Sequence, residues 1–148
     1  MDIKNARERS NYPNATQLEL GRYAIDQGAD LVAGHHPHVI QGIEKYKGRY
    51  IVYSLANFCF GGNRNPSDKD TFIFQNAFTF KGKELISVKG KVIPCQVSSV
   101  KEVNDYQPTI LEGEEKERVL KRILKYSEKL KYGIKAENLD EFSASTFY

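Results

Sequence analysis

Cysteine is scarce in this chain, and the two that occur, Cys59 and Cys95, lie far apart without a Cys-x-x-Cys pair. That spacing gives no support to a zinc knuckle, and it leaves either two buried free thiols or a disulfide. Long apolar runs are missing too. None approaches the roughly 18 residues that a membrane-spanning helix needs. The opening Met1-Asp2-Ile3-Lys4-Asn5-Ala6-Arg7-Glu8-Arg9 lacks the apolar core of a signal peptide. If the chain is part of a longer protein, targeting signals would lie elsewhere in it. Charge of one sign is also weak: the formal net charge is only +3. The basic excess falls mainly between Lys116 and Lys135, where acids are interleaved, so a solvated helix face accounts for it and no nucleic-acid partner is expected. There is no internal repeat and no low-complexity segment.

What is present suits one folded domain. The 148 residues are 40% hydrophobic and 28% charged, enough apolar surface for a real core. After a polar opening, Pro13-Asn14 starts a helix, with Asn14 as cap and Gln17 as its reciprocal partner. Leu18, Ala24 and Ile25 give that helix an apolar stripe, and Gly28 suits the left-handed position after its end. A strand follows at Leu31 to Ala33, and this helix–turn–strand order predicts a strand that joins a parallel sheet.

Beyond it the pattern is β. Val39 to Tyr46 and Arg49 to Leu55 read as strands turning at Lys47-Gly48. Ala56 to Lys69, rich in Gly and Asn, reads as a long loop. Thr71 to Phe80 alternates, placing Phe72, Phe74, Phe78 and Phe80 on one face, which predicts core. Glu84 to Val100 returns, with Pro94 pointing to an edge or a bulge. A last helix is expected from Glu114 to Tyr132, with Val119, Leu120, Ile123, Leu124 and Leu130 as its stripe and Gly133 as its stop. Its acids lie first and its lysines last, an order the helix dipole favours. The tail from Ile134 to Tyr148 either packs through Leu139, Phe142 and Phe147 or frays. The fold class expected is therefore α/β (α+β), with a mixed or antiparallel sheet.

All three histidines sit in one run, Gly34-His35-His36-Pro37-His38-Val39, directly after the short strand. Imidazole is the commonest neutral metal ligand. Pro37 and Gly34 argue against a helix, so the spacing of His35 and His38 has to be read on a turn, where both rings can converge on one metal or on two adjacent ones. His36 then points elsewhere, to solvent or to a supporting partner. The plainer alternative is a histidine-rich loop without a ligand.

The stretch from Gly28 through the histidines to Gly42, followed by Tyr53-Ser54-Leu55-Ala56-Asn57-Phe58, resembles the C-terminal part of the bacterial capsule-synthesis CapA (PGA_cap) family of poly-γ-glutamate biosynthesis. The resemblance covers roughly Asn11 to Val100. That family looks like a branch of the calcineurin-like metallophosphoesterases, so the resemblance implies the C-terminal half of such a sandwich over residues 1–100. A linker, helix and tail make up residues 101–148. The family form of the second motif is Tyr-Ser-Leu-Gly-Asn-Phe; Ala56 replaces the glycine here, at a cost in backbone freedom.

The resemblance makes His35 and His38 metal ligands of a two-metal centre holding Mn, Zn or Fe, with His36 and Asn57 bordering it. The other histidine motifs of such enzymes have no counterpart here, because no histidine remains to form them. The chain alone is therefore expected to bind metal weakly or not at all and to be inactive, as a fragment would be. Asp30, Glu44 or Asp68 could add a carboxylate, although Asp68 reads as a solvated loop residue. Gly61, Gly62, Asn63 and Arg64 offer groups that suit a phosphate or carboxylate, or they merely turn the chain. The expected partners are poly-γ-glutamate or its precursors. Components of a synthase complex are also expected if the chain is a scaffold at the cell envelope. An exposed sheet edge would favour self-association.

Overall fold

The computed structural model describes residues 9–143. The elements run α1 (Ala15–Asp26), β1 (Leu31–Ala33), β2 (Ile43–Tyr46), β3 (Arg49–Val52), β4 (Asp70–Lys81), β5 (Glu84–Gln96), β6 (Thr109–Ile110) and α2 (Gly113–Ser127), then a 3-10 turn at Ala136–Asn138. Two three-stranded sheets form, ordered β1-β3-β2 and β4-β5-β6. β1 runs parallel to β3, while the other strand pairs are antiparallel. The class is α+β, and the parallel pairing expected of β1 is present.

Local chemistry explains the boundaries. The Asn14 side chain accepts from the Gln17 N–H at 2.9 Å and the Gln17 side chain accepts from the Asn14 N–H at 3.0 Å, so α1 opens on the expected capping box. Gly28 ends it at φ +100°. Lys47 and Gly48 both have positive φ (50° and 76°), the requirement of a type I′ hairpin turn between β2 and β3.

β3 is buried on both faces. Tyr50 and Val52 join Ile40, Ile43, Phe72, Val88, Val92, Val119, Ile123 and Ile134 in the main core, between the two sheets and α2. Ile51 and Tyr53 point the other way and pack with Ile25 of α1. The layers are thus α1, the first sheet, and then the second sheet with α2.

Several expectations need correction. Of the four phenylalanines, Phe72 is 2% exposed but Phe78 and Phe80 are 37% and 57% exposed. The β4–β5 arm outruns the body, and among the described residues no layer covers its outer half. Helix α2 ends at Ser127, short of Tyr132, because the chain folds back to pair with β2: Lys45 N–H donates to the Tyr132 carbonyl and Ile134 N–H to the Ile43 carbonyl, both at 3.0 Å. Gly133 makes that return feasible, since a Cβ there would lie 1.8 Å from the Ser127 carbonyl oxygen. The bulge lies at Thr79/Phe80 and not at Pro94. Val92 N–H and the Gly90 carbonyl face the tail (Leu139 and Glu141), and Pro94, two residues further along, offers its carbonyl to Leu111 N–H on that same outer edge. Its missing N–H therefore costs no bond to β4. Both cysteines are free, and Cys59 is exposed where a buried thiol was expected. In the tail Leu139 packs on the core, whereas Phe147 lies outside the described residues.

One buried carboxylate ties three layers together. Glu44 is fully buried. Arg22 of α1 donates to both its oxygens (3.0 and 2.6 Å), Tyr53 Oη donates at 2.7 Å, and the Tyr132 N–H at 3.1 Å. Burial opposes its ionised form, yet these four donors hold its pKa below the ordinary glutamate value. Asp70 behaves likewise: burial works against its charge and Arg118 and Arg122 outweigh it. A depressed carboxylate stabilises the fold fully above its unfolded pKa and loses that contribution as pH falls through the folded one. Stability should therefore be flat above about pH 5 and fall steadily below about pH 4 in denaturant titrations. Arg22→Ala should cost about 3 kcal/mol at neutral pH by stranding a buried charge.

Candidate functional site

The two sequence motifs meet at Gly34. Its N–H donates to the Val52 carbonyl at 2.7 Å, and its carbonyl accepts from Leu55 N–H at 3.3 Å. A Cβ on Gly34 would stand 2.3 Å from the Tyr53 carbonyl oxygen, so only glycine permits this approach. The histidine loop is thereby held against the turn that follows Tyr53.

That turn delivers Asn57. Ala56, in the position where glycine is the family form, has φ +65°, a left-handed conformation disfavoured for any residue with a Cβ. Asn57 then reaches His38 twice. Its Nδ2 donates to the His38 carbonyl at 3.4 Å, and its Oδ1 lies 2.8 Å from His38 Nδ1. With the amide oriented by the first contact, Oδ1 has to accept, so Nδ1 carries a proton, and in the neutral ring the lone pair is then on Nε2. A histidine held in this way is prepared as a ligand or a base.

The structure brings the His36 ring beside that of His38, with the two centroids 5.8 Å apart. All three histidines are exposed, His35 at the start of the loop. His36 and His38 both have positive φ (93° and 61°). Of the six non-glycine residues with positive φ among the described residues, Arg9, His36, His38 and Ala56 surround this one place. Such strain concentrates at functional sites.

His38 and Asn57 form one wall of a cleft of about 410 Å³, closed by Phe60, Asn63, Asp68 and Arg9. Arg64 is not part of that lining; its carbonyl accepts from Asn104 N–H at 2.9 Å. Asn104 is 2% exposed, and its Nδ2 also donates to the Phe60 and Asn63 carbonyls at 2.8 and 3.2 Å. The 57–70 loop is thus pinned by a residue that nothing in the local sequence marks. Asp68, expected in solvent, accepts from Arg122 at 2.8 Å.

The carboxylates that could have joined the imidazoles are engaged elsewhere: Asp30 with Arg49, Glu44 with Arg22, and Asp68 with Arg122. Among the described residues no three His, Cys, Asp or Glu side chains converge on a common point. Two imidazoles fall short of the three protein ligands that a catalytic zinc site keeps. The donors fit one side of a metal centre and not a whole one.

Comparison with known proteins places this arrangement. Residues 3–62, which contain both motifs, match the family described as "Bacterial capsule synthesis protein PGA_cap". Over these residues the chain is similar to the CapA/PGA_cap family. It is 53% identical over 53 residues to the PGA biosynthesis protein CapA of Bacillus subtilis (36% of this chain, 14% of the relative). It is 37% identical over 81 residues to the capsule biosynthesis protein CapA of Bacillus anthracis (55% of this chain, 20% of the relative). A Sinorhizobium fredii protein, the uncharacterized y4sH, is 44% identical over 63 residues (43% of this chain, 14% of the relative). The chain spans only 14–20% of the length of these relatives.

Restoring the glycine tests the strained turn. Ala56→Gly should stabilise the protein by about 1 kcal/mol in urea unfolding and leave the His38–Asn57 contact intact in NMR spectra, since it removes a left-handed Cβ penalty. A loss of stability would show that the Ala56 methyl packs usefully.

Proposed function

We propose that this chain acts in the biosynthesis of an anionic capsule polymer, poly-γ-glutamate or its precursors. In this reading its histidine loop supplies two imidazoles to a divalent-metal centre of metallophosphoesterase type. The remaining donors come from outside the described residues. The observation that carries the reading is the His38–Asn57 contact at 2.8 Å, which orients one imidazole with Nε2 open. The names of the two Bacillus relatives support the biosynthetic role. His38 is the principal ligand and His36 its neighbour; the pair implied by family resemblance, His35 with His38, is the competing assignment. When bound, a divalent cation supplies Lewis-acid activation of an oxyanion near neutral pH. Among the described residues no helix is long and apolar enough to cross a membrane, so work at the cell envelope rests on the relatives' capsule role.

A second reading makes the chain a non-catalytic scaffold of a synthase complex, and one observation favours it: the described residues do not complete a metal site. Chelation separates the two, because a scaffold keeps its complex when metal is removed. Calorimetric titration with Mn²⁺ or Zn²⁺ should give weak binding, reduced about tenfold or more by Asn57→Ala. His36→Ala with His38→Ala should abolish it, while His35→Ala should leave most of it. Loss in His35→Ala with retention in His36→Ala restores the competing pair; equal binding in every variant removes the metal centre.

A further inference from the structure

The geometry points to Arg9 as the anion-binding residue of the cleft beside His38, which makes that cleft a pocket for a single oxyanion, carboxylate or phosphate. This rests on the cleft being the functional site and adds the chemistry of what enters it.

Arg9 is held by its backbone. Its N–H donates to the Pro37 carbonyl at 2.8 Å. The next two residues are fastened to the same loop: Gln41 Nε2 donates to the Ser10 carbonyl at 2.8 Å, and Asn11 Nδ2 to the Ile40 carbonyl at 2.9 Å. Gln41 is 1% exposed, so this anchor is buried. Arg9 itself takes φ +61°, the unfavourable left-handed region, and the three bonds hold it there.

Charge then decides. The cleft lining holds one cation with a permanent charge, Arg9, and one carboxylate, Asp68. Asp68 is already paired with Arg122 and does not neutralise Arg9. Among the described residues the Arg9 guanidinium has no ion-pair partner. An unpaired guanidinium on a residue that lines a polar cleft is suited to a bidentate oxyanion. The neighbouring groove offers a contrast. Arg118 and Arg122 line it together with Lys69 and Lys101, and the guanidinium donors of both arginines are committed to Asp70, Glu115, Asp68 and Tyr126.

The test uses the chelator-treated full chain, with inorganic phosphate and glutarate as separate NMR or calorimetric titrants. Phosphate, glutarate or both should bind and shift the His38 ring resonances; which one binds tells a phosphoryl ligand from a carboxylate. Arg9→Gln should weaken that binding about tenfold or more. Arg9→Lys should recover part of it, and Arg64→Gln should leave it unchanged. Arg9→Gln retains the main-chain bond to Pro37, and an unchanged thermal midpoint would verify its fold. Binding of neither titrant, equal binding by Arg9→Gln, or loss in Arg64→Gln alone would overturn the inference. Because metal is absent throughout, failure here leaves the imidazole reading standing, and failure of metal titration leaves this one standing.

Discussion

The contact between Gly34 and Tyr53 is the constraint on which the site depends. Two main-chain segments touch where no Cβ fits. One carries the histidines away from β1, and the other carries Asn57 beyond β3. Because β1 and β3 are parallel, both chains leave the sheet at the same end, and a loop from each meets the other there. The strain at His36, His38 and Ala56 follows from this close passage, since the loops have to turn within a few residues. The pairing of His38 with Asn57 depends on it.

Charged networks build the ground under that contact. Glu44 joins α1, β2, β3 and the returning segment after α2 through four donors. Asp68 and Asp70 join the long loop to α2 through Arg118 and Arg122. Asn104 fastens the same loop from below. Each network holds its charges among its own members, and Asp68, the carboxylate that shares the cleft lining with Arg9, is taken up by Arg122. The edges show similar management. The chain after α2 covers β2, and β6 with the 139–141 segment covers β5, while β1 and β4 each keep an open side among the described residues.

Much of this was legible in particular residues. Asn14 with Gln17, Gly28 and Lys47-Gly48 each state a local conformation that holds almost regardless of context. The histidine run after a short strand marked where a candidate site would lie. Other features were not legible. The four phenylalanines at period two specify a common face but not how far the body extends to cover it, so Phe78 and Phe80 are exposed. The apolar stripe of α2 does not reveal that the chain gains more by pairing with β2 than by continuing the helix. Arg9 was passed over as polar opening, and Asn104 as loop, because their roles depend on partners about thirty and forty residues away.

The sequence by itself determined the class of fold, the turns and caps, and the two motifs, because these depend on backbone preferences and on residue types within a few positions. Tertiary structure alone decided which imidazole stands beside His38, which carboxylates are already neutralised, and where a lone guanidinium is left. Pairing of charges and the tautomer of a histidine depend on distances of a few ångströms between segments remote in the chain, and linear order does not encode those distances.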